Sequence, residues 1–255
     1  MKIYVCVKHV PDSAATIAII DQTSIDERVT FLLNPYDENA VAEAIKLKEK
    51  IPDSEIIAIT IGKTSATETL RSAMAMGADR SIHVVTETHT DSIQTAKALK
   101  QAIQQDGKPD IIFTGKESID NEGMQTMFRL ASELKIPIAT NVVYFEKIEN
   151  SVLIMSEVEA SAKDVIEIDL PCIIAAGKGL NKPKYPTLPQ IVKSKKKTIK
   201  TIEFGALISE TPGSGIEVLE LKEAVEERKG KELSGTPEEI VDQLIDILIN
   251  EAKII

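Results

Sequence analysis

A chain of 255 residues, 43% hydrophobic and 27% charged, has the composition of a soluble globular protein with one large domain, or a domain and an appendage, and this excludes disordered and fibrous classes. Forty acidic against thirty basic side chains leave a net charge of −10, and aromatic residues are only 4% with no tryptophan, so nucleic acid is not an expected partner. No apolar run approaches the ~20 residues of a membrane span, and MKIYVCVKHVPDS places a lysine and polar residues where a signal peptide is apolar, so a cytoplasmic location away from membranes is expected.

In chain order, residues 2–7, 55–61, 80–85 and 110–114 read as buried strands, being short, apolar and bounded by Gly, Pro or Asp. Segments of helical period fill the gaps, the pattern of βαβ units and a parallel sheet. A helix over 36–50 is announced by Asn34 as N-cap, Pro35 at the first helical position and Asp37 in the first turn, with Ala40, Val41, Ala44, Ile45 and Leu47 as its apolar face. Further helices are expected over 65–76, ending at Gly77, over 91–105, and over 122–134, closed by Pro137.

Beyond Pro137 the segments 139–147, 151–158 and 164–176 suggest antiparallel strands that extend the sheet. Residues 177–200 hold eight lysines, no acids and three prolines, and read as an extended arm. A Gly/Ser/Pro-rich linker at 211–215 follows. Thr236-Pro237-Glu238-Glu239 then caps an amphipathic helix to about Ala252, with Ile240, Leu244, Ile247 and Leu248 on one face. The expected fold is α/β: a Rossmann-like, doubly wound, mostly parallel sheet with added antiparallel strands and an extended C-terminal arm, residues 1–200 forming the ligand-binding domain and 201–255 the arm and helix.

Such sheets bind ligands beyond the carboxyl ends of their strands, where strand order reverses. Two loops are candidates, Lys8-His9-Val10-Pro11-Asp12-Ser13 and the segment from Gly115 to Thr126. The second is rich in hydroxyl, amide and backbone donors and feeds a helix N-terminus suited to a phosphate, although a plain helix-capping loop has the same composition. The chain has neither GxGxxG after its first strand nor GxxxxGK[ST], which opposes a standard dinucleotide oxidoreductase and an ATP-hydrolysing enzyme. Cys6 and Cys172 lie in apolar strands without a CxxC or Cys/His cluster, and His9, His83 and His89 have no metal spacing, so neither a disulfide framework nor a metal site is expected. Glu157 and Glu159 share a strand face that solvation explains more cheaply than acid–base catalysis. No catalytic residue is evident.

Several segments together resemble the β subunit of electron transfer flavoproteins, over most of residues 1–200. They are Val7-Lys8, Asn34-Pro35-Tyr36-Asp37 before an Ala/Glu-rich helix, Ala75-Met76-Gly77-Ala78-Asp79-Arg80, Gly115-Lys116 through Gln125-Thr126, and Leu180 to Pro189 running into Lys195-Lys196-Lys197. The resemblance implies a heterodimer with a flavin-carrying α subunit, an adenine nucleotide held in this chain, and a docking loop for acyl-CoA-type dehydrogenases. It carries the nucleotide site onto Cys6, Asn34, Pro35, Tyr36, Asp37, Ile61, Gly115, Lys116, Ser118, Asp120, Asn121, Gly123, Met124, Gln125 and Thr126. The docking loop falls on 177–200, with Leu188 as anchor beside Tyr185, Pro189, Lys195, Lys196 and Lys197, and the C-terminal segment is expected to wrap the partner subunit.

Within the family the nucleotide is AMP in housekeeping members and FAD in electron-bifurcating members, which take a hydride from NADH and can deliver electrons to ferredoxin. Val10-Pro11-Asp12-Ser13 and Asn34-Pro35-Tyr36-Asp37 look like the bifurcating form, whereas Gly77 to Val84 and Gln125-Thr126 look like the housekeeping one. A glycine pair common in the family is replaced around Ala160-Ser161. Ser13 stands where the housekeeping form has tyrosine, and this favours FAD, with AMP the alternative. Rival readings from other classes are a stand-alone adenine-nucleotide sensor and an ATP-using enzyme.

Overall fold

The computed structural model describes residues 1–159, 162–208, 217–223 and 230–254. Ala160, Ser161 and the linker at 211–215 lie outside the described residues. The chain divides into two units, Met1–Leu219 and Glu220–Ile255.

The first unit is built on a nine-stranded sheet. Its strands are β1 (Lys2–Cys6), β4 (Glu55–Gly62), β5 (Arg80–Val85), β6 (Ile111–Gly115), β7 (Ile138–Lys147), β8 (Ser151–Glu157), β9 (Lys163–Asp169), β10 (Cys172–Ala176) and β11 (Ile199–Glu203). The order across the sheet is β11-β5-β4-β1-β6-β10-β7-β8-β9. Two short strands, β2 (His9–Pro11) and β3 (Phe31–Leu33), form a separate antiparallel pair beyond the end of β1. Pairing is parallel from β11 to β7 and antiparallel from β7 to β9.

Helices α1 (Pro35–Lys50) and α2 (Thr67–Met76) cover one face, and α3 (Ser92–Asp106) and α4 (Thr126–Leu134) the other. Alternation along each strand divides the core accordingly. Ile3, Val5, Ile56, Ala58, Ile111 and Phe113 pack with Val41, Leu47, Leu70 and Met74. Tyr4, Ile57, Ile59 and Ile112 pack with Leu99, Ile103 and Leu130. Fully burying such side chains contributes ~1.5–3 kcal/mol each, which sets the strand register.

The structure corrects three sequence expectations here. The segment 164–176 is two strands: Pro171 has no amide N–H to continue the ladder, and the chain leaves edge strand β9 to enter the sheet again as β10, parallel between β6 and β7. The helix expected over 122–134 begins at Thr126, because Glu122 and Met124 both stand at φ +48° in the left-handed region. The arm at 177–200 is extended only in part. Leu188–Ser194 form helix α5, with Gln190 Oε1 accepting from the Thr187 amide at 2.7 Å and Pro189 in the first turn, where no N–H is needed. Residues 199–203 then pair with β5 as the edge strand, followed by the short helix α6 (Phe204–Leu207).

In the second unit, Thr236 caps α7 (Pro237–Asp246), accepting from the Glu239 amide. A π-helical turn continues it over Ile247–Glu251. Val241, Leu244, Ile245 and Ile249 are exposed on it. No helix of the described residues is long and apolar enough to cross a membrane.

Candidate functional site

The chain runs from β1 outward to β4 and β5, then returns to β6 on the other side of β1. The carboxyl ends of β1 and β6 therefore flank the point where winding reverses, the place a crevice opens in such sheets. The Lys8–Ser13 loop leaves the first end and the Lys116–Gln125 loop the second.

Asp37, in the first turn of α1, ties the two loops together. Its Oδ2 accepts from the Lys8 amide at 2.8 Å and its Oδ1 from the Gly115 amide at 2.9 Å. The carboxylate is enclosed, and burial pushes it up to about 7 against the opposing pull of the Lys8 amide, the Asn34 side chain and the Gly115 amide. Gly115 is required at this contact. A Cβ there would stand 2.6 Å from Tyr36 Cβ and 2.9 Å from the Tyr36 carbonyl carbon.

Asn34 does not cap α1 through its side chain, contrary to the sequence expectation. Its Nδ2 donates to the Glu117 carbonyl at 2.8 Å and its Oδ1 accepts from the Ile119 amide at 3.3 Å, while its own amide donates to the Lys8 carbonyl at 3.1 Å. The side chain is used up in fastening the second loop to the first.

Within the second loop, charges are neutralised in pairs. Lys8 Nζ meets Asp120 at 2.6 Å and donates to Ser118 Oγ at 3.2 Å, and Lys116 meets Glu117 at 3.1 Å with its ammonium 5.2 Å above the Tyr36 ring. Ser118 Oγ donates to Asn121 Oδ1 at 2.9 Å, and the same oxygen accepts from the Gly123 amide at 3.3 Å, so Asn121 keeps its NH₂ as a donor. Gln125 Oε1 accepts from Arg129 at 2.6 Å. Asn121 to Gln125 are exposed, and Thr126 opens α4, whose first amides are unpaired by the helix itself.

Cys6 lies beside Ile59 on β4 and one residue beyond the Val5–Phe113 pairing with β6, on the α3/α4 face of the sheet, and burial raises its thiol pKa. Ile61 lies on the same face at the end of β4. Thr114, which sequence reasoning passed over, is buried at the end of β6, and its Oγ1 has no hydrogen-bond partner among the described residues. Lys8, which opens the first of the two candidate loops, was not among the residues that the resemblance carried over to the nucleotide site.

The structure thus gathers Cys6, Asn34 to Asp37 and Gly115 to Thr126 at the carboxyl ends of β1 and β6, with Ile61 at the neighbouring strand end. The arm residues stand elsewhere, on α5 and the segment before it. Tyr185 is 90% exposed and Leu188 74% exposed, and Leu188, Pro189, Val192, Lys193 and Lys196 line a shallow open surface pocket. Lys195 and Lys196 are exposed, but Lys197 is not displayed for a partner. Its ammonium donates to the Met74 carbonyl at 2.9 Å, an end-of-helix oxygen of α2 that lacks an intrahelical partner, and to the carbonyl of Ala78 just past that helix.

Among the described residues no cluster of His, Cys, Asp and Glu side chains could hold a metal ion. His9 stacks on Phe31 with ring centroids 4.7 Å apart and meets Thr69 Oγ1 at 2.8 Å, and burial lowers its pKa. His83 is buried in β5 against Thr67 Oγ1 and the Gly62 carbonyl.

Over residues 22–207 the chain matches the sequence profile of a family described as the electron transfer flavoprotein domain. It is 37% identical to the mitochondrial electron transfer flavoprotein subunit beta of Arabidopsis thaliana, with all of both chains covered. It is 34% identical to the electron transfer flavoprotein subunit beta of Dictyostelium discoideum, over all of this chain and 99% of the relative. With that of Bacillus subtilis it shares 32% identity over the whole of both chains.

Proposed function

This chain belongs to the electron transfer flavoprotein β-subunit family, and from that premise we propose that it pairs with a flavin-carrying α subunit, holds an adenine nucleotide in the crevice at the ends of β1 and β6, and docks an acyl-CoA-type dehydrogenase through its lysine-rich arm. The observation that carries the nucleotide reading is the bracing of two donor-rich loops at the switch point by the single carboxylate of Asp37.

The residues fit such a group. Asp120 and Glu117 are neutralised by Lys8 and Lys116, which lowers the repulsion a phosphate would meet. The Asn121 NH₂, the Thr126 hydroxyl and the first amides of α4 remain as donors for an anion. The unpartnered Thr114 hydroxyl, beside Cys6, is a buried polar atom of the kind a bound nucleotide satisfies. When bound, FAD supplies hydride acceptance from NADH and onward electron transfer, including to ferredoxin, whereas AMP supplies structure alone. Ser13 favours FAD and Gln125-Thr126 favours AMP.

Nucleotide release from the purified αβ pair, followed by flavin quantitation, tests this. One flavin per pair with one AMP assigns AMP to this chain, and two flavins assign FAD. A colourless monomer that hydrolyses ATP removes the reading altogether. Thr126→Val is expected to lower nucleotide affinity roughly tenfold to a hundredfold, the usual effect of removing a donor to a charged phosphate. Calorimetric titration showing an unchanged Kd would place the phosphates elsewhere.

For docking, Leu188→Ala is expected to raise the dehydrogenase KM about fivefold to thirtyfold, the range of an apolar hot spot, with flavin content and α-subunit pairing unchanged. Lys195→Glu with Lys196→Glu should slow encounter chiefly at low ionic strength, where the Debye length exceeds the ~10 Å of 0.1 M salt. Loss of the α subunit in Leu188→Ala would instead make the arm a subunit contact.

A further inference from the structure

The exposed tip of the arm, residues 182–187, is an irregular bridge between two anchored ends. At the first end, Asn181 Nδ2 donates to the Asn39 carbonyl at 2.9 Å and to the Glu43 carboxylate at 2.8 Å, while Asn39 Nδ2 donates back to the Asn181 carbonyl and Oδ1 at 3.1 Å each. Asn39 and Glu43 are buried on α1, so a side chain that both donates and accepts at position 181 is what their polar atoms require.

At the second end, Arg71 of α2 donates through one nitrogen, Nη1, to the carbonyls of Ser194 and Lys197, both at 2.7 Å. Lys197 reaches in the opposite direction to the Met74 carbonyl in the last turn of α2 and to the Ala78 carbonyl just past it. The negative C-terminal end of α5 is thus covered by Arg71 of α2, and that of α2 by Lys197, three residues beyond α5. Between the two ends, Pro183 and Pro186 fix φ and leave the bridge few conformations.

We propose that these two polar posts, Asn181 on α1 and the Arg71/Lys197 exchange on α2, are positioning residues that present Tyr185 and Leu188 ready for the partner. The proposal rests on the arm being the docking segment. A tip held at both ends binds without first being ordered. With one post removed, the docking conformation becomes a fraction of the ensemble and the apparent Kd rises by the inverse of that fraction.

The test uses the αβ complex with a purified acyl-CoA dehydrogenase from the same source as electron donor. For Arg71→Met and Asn181→Ala, a docking-ready fraction reduced to about one tenth raises the dehydrogenase KM about tenfold, with kcat held to within about twofold. Tryptic cleavage after Lys184 should quicken in step, a readout that needs no dehydrogenase. Arg71→Lys should restore both, because a single nitrogen serves both carbonyls. Leu188→Ala should raise KM without quickening cleavage.

Wild-type KM in the two post variants, alongside a raised KM in Leu188→Ala, overturns the posts while sparing the docking reading. So does a fall in kcat with lowered Tm, which marks a merely structural role. Wild-type KM in Leu188→Ala removes the docking reading itself, and the posts' part in recognition falls with it.

Discussion

Gly115→Ala should destabilise the chain by about 2–4 kcal/mol, combining an overpacking cost of ~1–3 kcal/mol with the loss of a buried hydrogen bond worth ~1 kcal/mol. The added methyl has nowhere to go. It meets Tyr36 Cβ at 2.6 Å, the Tyr36 carbonyl carbon at 2.9 Å and the Asp37 carboxylate, and all three neighbours belong to the first turn of a helix that cannot yield locally. Relief requires moving the start of α1 away from β6, which pulls Asp37 from the Gly115 amide and slackens the brace between the two loops. For a chain of this size the corresponding fall in Tm is roughly 5–15 °C, read by circular dichroism, and nucleotide retention should fall with it. A Tm within about 2 °C of wild type would mean that the helix start shifts at little cost.

Asp37→Asn is the second large effect, and its logic is one of donors and acceptors. Both carboxylate oxygens accept from backbone amides, and an asparagine can accept at only one of the two positions, turning an N–H towards an N–H at the other. An unsatisfied buried amide costs ~1–3 kcal/mol. Protonation imitates the substitution, since the carboxyl then carries a donor of its own. Burial holds this carboxyl up to about 7, well above its ordinary range, so the folded chain takes up a proton that the unfolded chain does not.

The resulting contribution to folding stability is fully present below the ordinary carboxylate pKa of ~4 and is lost as pH rises through about 7. Nucleotide affinity should move the other way, because the loops are braced by the ionised form. Between about pH 6 and about pH 8 it should rise roughly tenfold in the wild type, and Asp37→Asn should flatten that dependence while lowering affinity throughout. Titration of nucleotide across this range decides it, and a wild-type affinity independent of pH would show that Asp37 keeps one charge state there.

The elements that were legible in the sequence are those whose signals are local. The apolar runs of β1, β4, β5 and β6, the Pro35 start of α1 and the left-handed Gly77 after α2 all act within a few residues of themselves. What was misread depends on distant partners or on an unweighed cue. Nothing within Cys172–Ala176 distinguishes a parallel central strand from the end of an antiparallel one, since that is decided by Ile111–Gly115 and Ile138–Val142. The Thr187–Gln190 capping pair was a local sign of α5 hidden among prolines.

The site divides in the same way. Its loops were visible as donor-rich segments after strands, whereas the work of Asn34 lies in contacts to Glu117 and Ile119, more than eighty residues away. The contacts of Lys197 were illegible for the same reason, because its carbonyl partners Met74 and Ala78 are far away in sequence.

The position of β10 between two strands that precede it in the chain bears on how the protein is made. On the ribosome the Ile111–Gly115 strand emerges with β1 available on one side and nothing for the other. That edge stays open while about sixty further residues are added, roughly 3–12 s at ordinary elongation rates of ~5–20 residues per second. An unpaired Ile-Ile-Phe edge is a template for pairing with other nascent chains. The β7–β9 meander can form by itself in that interval, and β10 must then slot into the gap, joining two half-sheets in one late step. The β6 strand that feeds the second loop thus gains its other neighbour only after Ala176 has left the exit tunnel, and a fragment ending before that residue would carry every nucleotide-site residue on a sheet whose β6 edge stays unpaired.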